Sequence, residues 1–495
     1  MDDLTKLGFI EINSHPIIEF ISPQFVTNRL DVDYYRPEYL KLDEQLKKTG
    51  YRQERMTDLS KIINDGPGGW SLQSSEYVKE GVPLIRIVDF RNNLDPLGMI
   101  YISPAKHNEL LRYEVLPGDV LITAAGSIGE AQILPESVAR ANFRDLIRIR
   151  LKPGTNPYYV SAYLNSKYGR MITRRFAHGA VQLHLKVYDA KEISVVVPDT
   201  KIQSYVGDKV HLAEKCRSEA TILFTEAQTI FRNAARQTEF IPKLTNSNII
   251  QSKQFTDRLT PEFYLPRYYD LEIHLASLDW PIKPIGDLVR KPIIRISSPS
   301  SENIKGYPCI LTSDIEPYFI EWEMPSLWIS PEEHRNWRGA LQPNDVVYTS
   351  VGPPVGEAAI VLQAQLPMAI GGDVSLIRTN QKLQPGYLTL YLNSIFGQMQ
   401  NDRYSRGIRQ RRVYPDDIAA FLIPVLPNNI QVEIGKRVVK YELFNKIARE
   451  LTRAANQDAE NLIEGTLNIS DIMSGELRPP SWESILLEIE NQNHA

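Results

Sequence analysis

The residues best suited to recognition chemistry in this chain are arginines. Arg403, Arg406, Arg409, Arg411 and Arg412 crowd one short run, interleaved with Tyr404, Gly407 and Gln410. A guanidinium is a planar fork of donors that matches a phosphate or the O6/N7 edge of guanine, and glutamine can pair the edge of adenine. A glycine lets such a loop approach another backbone closely. A sparser run precedes it by 228 residues, with Arg170, Arg174, Arg175, His178, Gly179, Gln182, His184 and Lys186; Gly179 and Gln182 match Gly407 and Gln410. The chain as a whole carries a net charge of −4, so this positive charge is local. That balance argues against a protein that coats nucleic acid over its whole surface and leaves room for contacts confined to these runs. The candidate nucleic-acid contacts are Arg170, Arg174, Arg175, Gln182, His184, Lys186, Arg403, Arg406, Arg409, Gln410, Arg411 and Arg412.

Catalytic and metal chemistry finds little support. The sequence has no GxxxxGK[ST] phosphate loop, no HExxH pair and no GxSxG elbow. The glycine-rich Asp65-Gly66-Pro67-Gly68-Gly69-Trp70 has the proline and spacing of a turn, not of a dinucleotide fingerprint. Histidines are scattered, and only His107 and His334 approximately match between the two halves. Two cysteines, Cys216 and Cys309, offer neither a disulfide framework nor a cysteine-rich zinc cluster, which fits a reducing, cytoplasmic compartment. Asp119 and Asp345 match each other, but an aspartate after a turn is the usual way into a strand. No catalytic residue and no metal ligand is expected. The glycine loops 123–129 and 349–356 read equally well as structural turns or as ligand-facing loops. The N-terminus has no basic segment followed by an apolar run, so no signal peptide is expected, and no stretch is apolar enough for a membrane span.

The elements that must position these residues are written twice. Leu164-Asn165-Ser166 recurs as Leu392-Asn393-Ser394, at an offset of 392 − 164 = 228, and glycine follows three residues later as Gly169 and Gly397. Arg29, Tyr35, Pro37 and Tyr39 answer to Arg258, Tyr264, Pro266 and Tyr268. Ile102-Ser103-Pro104 answers to Ile329-Ser330-Pro331, and Asp119-Val120 to Asp345-Val346. A period this long exceeds the roughly 20–50 residues of solenoid repeats, so each copy is a whole folding unit. Within the first copy, apolar or alternating runs predict strands at 84–88, 119–123, 146–151 and 193–198, and a helix is predicted over 157–168, ending at Gly169.

Each copy then runs into a long helix. Apolar residues from Ile202 to Ala234, and from Ile430 to Ala455, recur at steps of three and four without a proline. A helix of about 35 residues spans roughly 50 Å. Two equally placed seams are expected to pack on each other rather than each on its own module. The predicted division is an N-terminal extension (1–28), a first globular module (29–199), a helix (200–240), a linker and second module (241–427), a second helix (428–467) and a C-terminal tail (468–495).

Taken together, the Asp-Val turn, the glycine loop, the Leu-Asn-Ser-x-x-Gly helix and the Gly-x-x-Gln segment, each twice and each followed by a long helix, resemble the specificity subunit of type I restriction–modification systems. The resemblance covers about residues 27–467. The second copy departs from it with Pro343-Asn344-Asp345 and a loop lengthened around Pro353-Pro354. It implies an α+β fold of two target-recognition domains separated by two long antiparallel helices as a coiled-coil spacer. Each domain would grip half of a bipartite site in double-stranded DNA. Two methyltransferase subunits, carrying S-adenosylmethionine, would modify adenine, and a motor-nuclease subunit would join them in phage defence. The chain itself would bind no cofactor and perform no catalysis. Two alternatives stay open: a similar recognition subunit in another phage-defence methyltransferase or nuclease system, and an enzyme using Asp119 and Asp345.

Overall fold

The computed structural model describes residues 31–493 apart from 69–70, 93, 95–97, 180–182, 246, 250–254, 257, 259, 300–305 and 408, together with residues 26 and 29. The chain divides into two compact units, 1–214 with 450–479 and 215–449 with 480–495. Each is a mixed α/β body holding one copy of the repeat and part of both long helices, Thr200–Ala234 and Asn428–Glu464.

The first unit is built on an antiparallel four-stranded sheet in the order Ser60–Asp65, Leu146–Leu151, Val120–Thr123, Ala131–Ile133. Its strands alternate between two cores. Val120, Ile122, Ile147 and Ile149 pack with the helix Pro157–Asn165, while Leu121 and Leu146 face a second cluster around Phe90 and Phe143. The predicted strand 84–88 is shorter, Val82–Ile85. The Asp89 carboxylate accepts the Arg86 N–H at 2.7 Å and closes a turn that ends it.

The Leu-Asn-Ser signature explains itself in three contacts. Asn165 Oδ1 accepts the Ala131 N–H at 3.0 Å and its amide donates to the Ala131 carbonyl at 2.7 Å, so it replaces a missing strand neighbour at the sheet edge. Ser166 leaves the helical conformation and caps a second helix, Lys167–Arg175, by accepting from Gly169 N at 3.1 Å. The predicted single helix to Gly169 is therefore two helices, broken at Ser166. Gly169 lies inside the second one, where a Cβ would stand 2.0 Å from the Tyr163 carbonyl oxygen.

The second unit repeats this arrangement. Its sheet runs Ile294–Arg295, Val374–Ile377, Val346–Thr349, Ala358–Ile360, again antiparallel throughout. Asn393 clamps Ala358 with bonds of 3.0 and 2.8 Å, and Ser394 caps the helix Ile395–Tyr404. Tyr387 and Tyr391 donate to the carbonyls of Pro424 and Leu422, as Tyr159 and Tyr163 do to Val196 and Ser194.

In the first unit Lys209 of one long helix pairs with Asp458 of the other, and Lys201 reaches the carbonyl of Met473 in the tail helix Ile469–Ser474. In the second unit the two long helices run antiparallel, Glu226 pairing with Arg437 at 2.9 Å and Phe224 stacking on Tyr441 at 4.6 Å. The C-terminal tail forms the helices Ile469–Ser474 and Trp482–Asn493. Trp482 stacks on Phe444 under the Lys215 ammonium, and Ile485 and Ile489 are buried.

The helix pair of the second unit buries a carboxylate. Glu442 is 2% exposed and bonds Arg449 at 2.7 Å. Burial pushes its carboxyl up to about 7, with Arg449 and Lys446 offsetting only part of the cost. A raised acid favours the folded state in its protonated form. The stability it contributes is complete below about pH 4.5 and is lost as pH rises through about 7. Glu442→Gln should therefore gain stability relative to wild type by on the order of 3 kcal/mol between pH 4.5 and 7. Denaturant unfolding at a series of pH values reads this, and a wild-type-to-variant difference that stays constant with pH contradicts it.

Candidate nucleic-acid interface

The arginine run of the second unit folds back on itself just beyond the end of the strand Val346–Thr349. Arg406 and Arg412 exchange N–H···O bonds of 2.9 and 2.8 Å. The returning arm continues the sheet: Val413 N donates to Ser350 O at 2.9 Å, and Gly352 N to Arg411 O at 3.1 Å. Gly407 sits at φ +97°, and a Cβ there would stand 2.3 Å from the Gln410 carbonyl oxygen. Only glycine fits that turn.

At the tip, Arg409, Gln410, Arg411 and Arg412 are exposed. Arg411 pairs with Asp402 at 2.8 Å, and Arg412 donates to Gln410 Oε1 at 2.9 Å. Both are solvent-exposed contacts that a phosphate can displace at little cost. Arg409 has no partner among the described residues. Below the tip the Tyr414 ring, 36% exposed, lies 5.2 Å from the Arg406 guanidinium and 5.4 Å from that of Arg295. Cations flanking an open aromatic face suit a nucleic-acid strand.

The hairpin is anchored at its base by Asp417, which is 6% exposed. Its carboxylate takes Arg258 at 2.5 Å and Arg406 at 2.9 Å, and accepts the Tyr414 N–H at 3.1 Å. The first unit has the same device. His178 and His184 exchange N–H···O bonds of 2.9 and 2.7 Å, and Leu185 N donates to Ala124 O. Buried Asp189 takes Arg29 at 3.1 Å, with His178 Nε2 also at 3.1 Å. His184 and Lys186 are exposed, and Lys186 lies 5.7 Å from the ring of Tyr188, itself 58% exposed. Gln182 lies outside the described residues.

Other candidates are placed differently. Arg175 and Arg403 have side chains only 9% exposed. Arg175 pairs with Asp43 at 2.7 Å and donates to the Tyr34 carbonyl; Arg403 pairs with Glu272 at 2.5 Å and donates to the Phe263 carbonyl. Both tie the second short helix to the first helix of their unit, so their recurrence reports the scaffold and corrects their placement at the interface. Arg170 and Arg174 are half-buried on the helix Lys167–Arg175, and Arg170 meets Glu130 at 3.5 Å. At the position matching Arg170, Gln398 instead donates to the Gly356 carbonyl at 2.6 Å. Glu357 is left with a buried, unpartnered Oε2, and burial together with Glu316 pushes its carboxyl up to about 7.

The matched aspartates are turn anchors. Asp119 takes Arg150 at 2.7 Å and the Leu116 N–H at 2.9 Å; Asp345 takes Arg378 at 2.9 Å and the Gln342 N–H at 2.7 Å. With their oxygens committed in this way, neither is placed as a general base. In the glycine loops, Gly129 and Gly356 pass so close beneath the second short helix that a Cβ would meet Thr173 at 2.8 Å or Asn401 at 2.6 Å. Both cysteines are buried and neither forms a disulfide, and no metal-holding cluster of His, Cys, Asp or Glu occurs among the described residues. No helix among them is long and apolar enough to cross a membrane.

Sequence reasoning overlooked Arg295, Tyr188 and the Arg29 and Arg258 clasps. The clasps carried a signal, since both arginines head their copies at matched positions. Arg295 carried none: the fold alone brings it beside Tyr414.

No family model and no curated protein matches the chain. Among solved structures it is similar to the S subunit of a type I restriction–modification system from M. genitalium, at 11% identity over 84% of this chain and 96% of that one, with a TM-score of 0.42. It is also similar to the HsdS subunit from Thermoanaerobacter tengcongensis, at 15% identity over 86% and 97%, with a TM-score of 0.26. A third is a chain from a structure of complex assembly and conformational transition in the type I restriction–modification system, at 14% identity over 84% and 98%, with a TM-score of 0.29. Scores and identities this low leave the functional reading to the chain's own geometry.

The geometry separates anchor from tip. Asp417→Ala leaves two arginines without their buried partner and should cost about 3–5 kcal/mol. Arg409→Ala should stay within about 0.5 kcal/mol of wild type. Denaturant unfolding of both variants checks this, and equal effects contradict it.

Proposed function

We propose that this chain is a non-catalytic, sequence-specific DNA-recognition subunit of the type I restriction–modification kind. Each unit reads one half of a bipartite duplex site through its hairpin, and the long helices set the spacing between halves. Partner methyltransferase subunits, two per chain and carrying S-adenosylmethionine, modify adenine at the site. A motor-nuclease partner uses the same recognition for restriction. The chain itself supplies position and no chemistry.

The observation that carries this reading is the hairpin at 406–412. It presents Arg409, Arg411 and Arg412 with Gln410 as exposed side chains anchored to a buried aspartate, and the first unit has a matching His178–His184 bridge beside buried Asp189. A rigid base under a cationic, amide-bearing tip is what base and phosphate contact require. The two tips differ in sequence, with Val181, Leu183 and His184 at the positions of Arg409, Arg411 and Arg412. Two unlike tips on like scaffolds suit two unlike half-sites.

Replacing Arg409, Arg411 and Arg412 together by alanine should weaken duplex binding by at least about tenfold. It should also flatten the dependence of log K on log salt by roughly 0.9 for each phosphate that the variant no longer neutralises. Fluorescence anisotropy with duplex DNA across a salt series, in the presence of the methyltransferase, measures both. Unchanged affinity and slope would sink the assignment of the hairpin to DNA.

A further inference from the structure

The first unit carries a cleft that the repeat does not explain. It encloses about 610 Å³ beside the strands Ser60–Asp65 and Leu146–Leu151. Lys61, Arg112, Arg148, Arg150 and Lys191 line it against one acidic residue, Glu114. Asp119 answers Arg150 with two bonds, of 2.8 and 2.7 Å. Arg148 has no such answer. It is 3% exposed and donates only to neutral oxygens: Asn64 Oδ1 at 3.0 Å, the Arg112 carbonyl at 3.3 Å and the Glu114 carbonyl. Burial pulls its affinity for the proton down, and the nearby Asp119 and Glu114 carboxylates offset only part of that. Ser60 lines the same cleft, is 8% exposed, and its hydroxyl has no hydrogen-bond partner among the described residues.

The scaffold does not require this arginine. Arg148 pairs with Leu121 across the sheet, and the same register in the second unit pairs Leu376 with Val347. Leu376 is 3% exposed in an apolar cluster. One copy thus fills the position with a leucine, and the other spends free energy to bury a guanidinium there. Arg148 lies under a rim of exposed Lys61, Lys191 and Arg112, a cationic lining suited to an anion with several acceptor oxygens.

We propose that this cleft is a phosphate-group site of the first unit, with Arg148 at its floor and Lys61, Arg112 and Lys191 at its rim. Its volume falls in the range of small-molecule sites, about 300–1,000 Å³, so a mononucleotide fits. A backbone phosphate of DNA offers the same chemistry. The site stands independently of the hairpins.

The test uses the full chain and isothermal titration calorimetry at low salt with AMP and with inorganic phosphate. Arg148→Leu copies the residue that the second unit tolerates at this register, and Lys61→Ala with Lys191→Ala removes exposed charges only. AMP should bind once per chain, and each variant should weaken it at least about tenfold, as removal of one charge-assisted hydrogen bond does. The melting temperature of Arg148→Leu should match or exceed wild type. If duplex DNA displaces AMP, the physiological phosphate is that of the DNA backbone; if both bind together, it is a free nucleotide. The proposal is overturned if neither anion nor duplex binding responds to the variants, or if Arg148→Leu lowers the melting temperature and so assigns the arginine to the scaffold. The hairpin variants leave this outcome untouched, so the two readings fail separately.

Discussion

The buried carboxylate at the base of each hairpin is the interaction on which the rest depends. Asp417 holds an arginine from the start of its repeat and another from the hairpin itself. Asp189 holds Arg29 and faces His178 at the matching place. A buried charge must be fully answered or it destabilises the fold. That requirement fixes where the repeat begins, where the hairpin leaves the sheet and where the next short helix starts. The tip is free to vary because the base is not.

The same division runs through each unit. Asn165 and Asn393 seal a sheet edge, Ser166 and Ser394 turn one helix into two, and Gly169 and Gly397 allow those helices to touch. Arg175 and Arg403 then pull the second short helix onto the first helix of the unit. These groups recur because the fold needs them. The groups that differ, Arg409 against Val181 and Arg148 against Leu376, stand where the two copies share no residue type.

Much of this was legible in the sequence. The duplication, the two long helices and the exposed hairpin arginines follow from spacing and periodicity, which are local signals. The division of labour among the arginines was not. Arg403 and Arg409 stand six positions apart in one cationic run, yet one is enclosed by Phe263 and Glu272 and the other is open to solvent. Only tertiary partners separate them, and those partners lie more than a hundred residues away. Recurrence misled in the same way. A cation kept in both copies suggests a shared function, but the physics of burial makes the shared cation a structural one. The cleft around Arg148 was invisible for the same reason, since its lining residues are scattered from Thr57 to Lys191.

The central claim is that each hairpin reads its own half of a bipartite DNA site. Mapping methylated adenines in cells that carry the wild-type gene, or a variant with Arg409, Arg411 and Arg412 replaced, tests it most directly. The account predicts a bipartite motif in the wild type, with one half relaxed or lost in the variant and the other half unchanged. An identical methylation pattern in both strains, or loss of specificity in both halves with the fold intact, would contradict it.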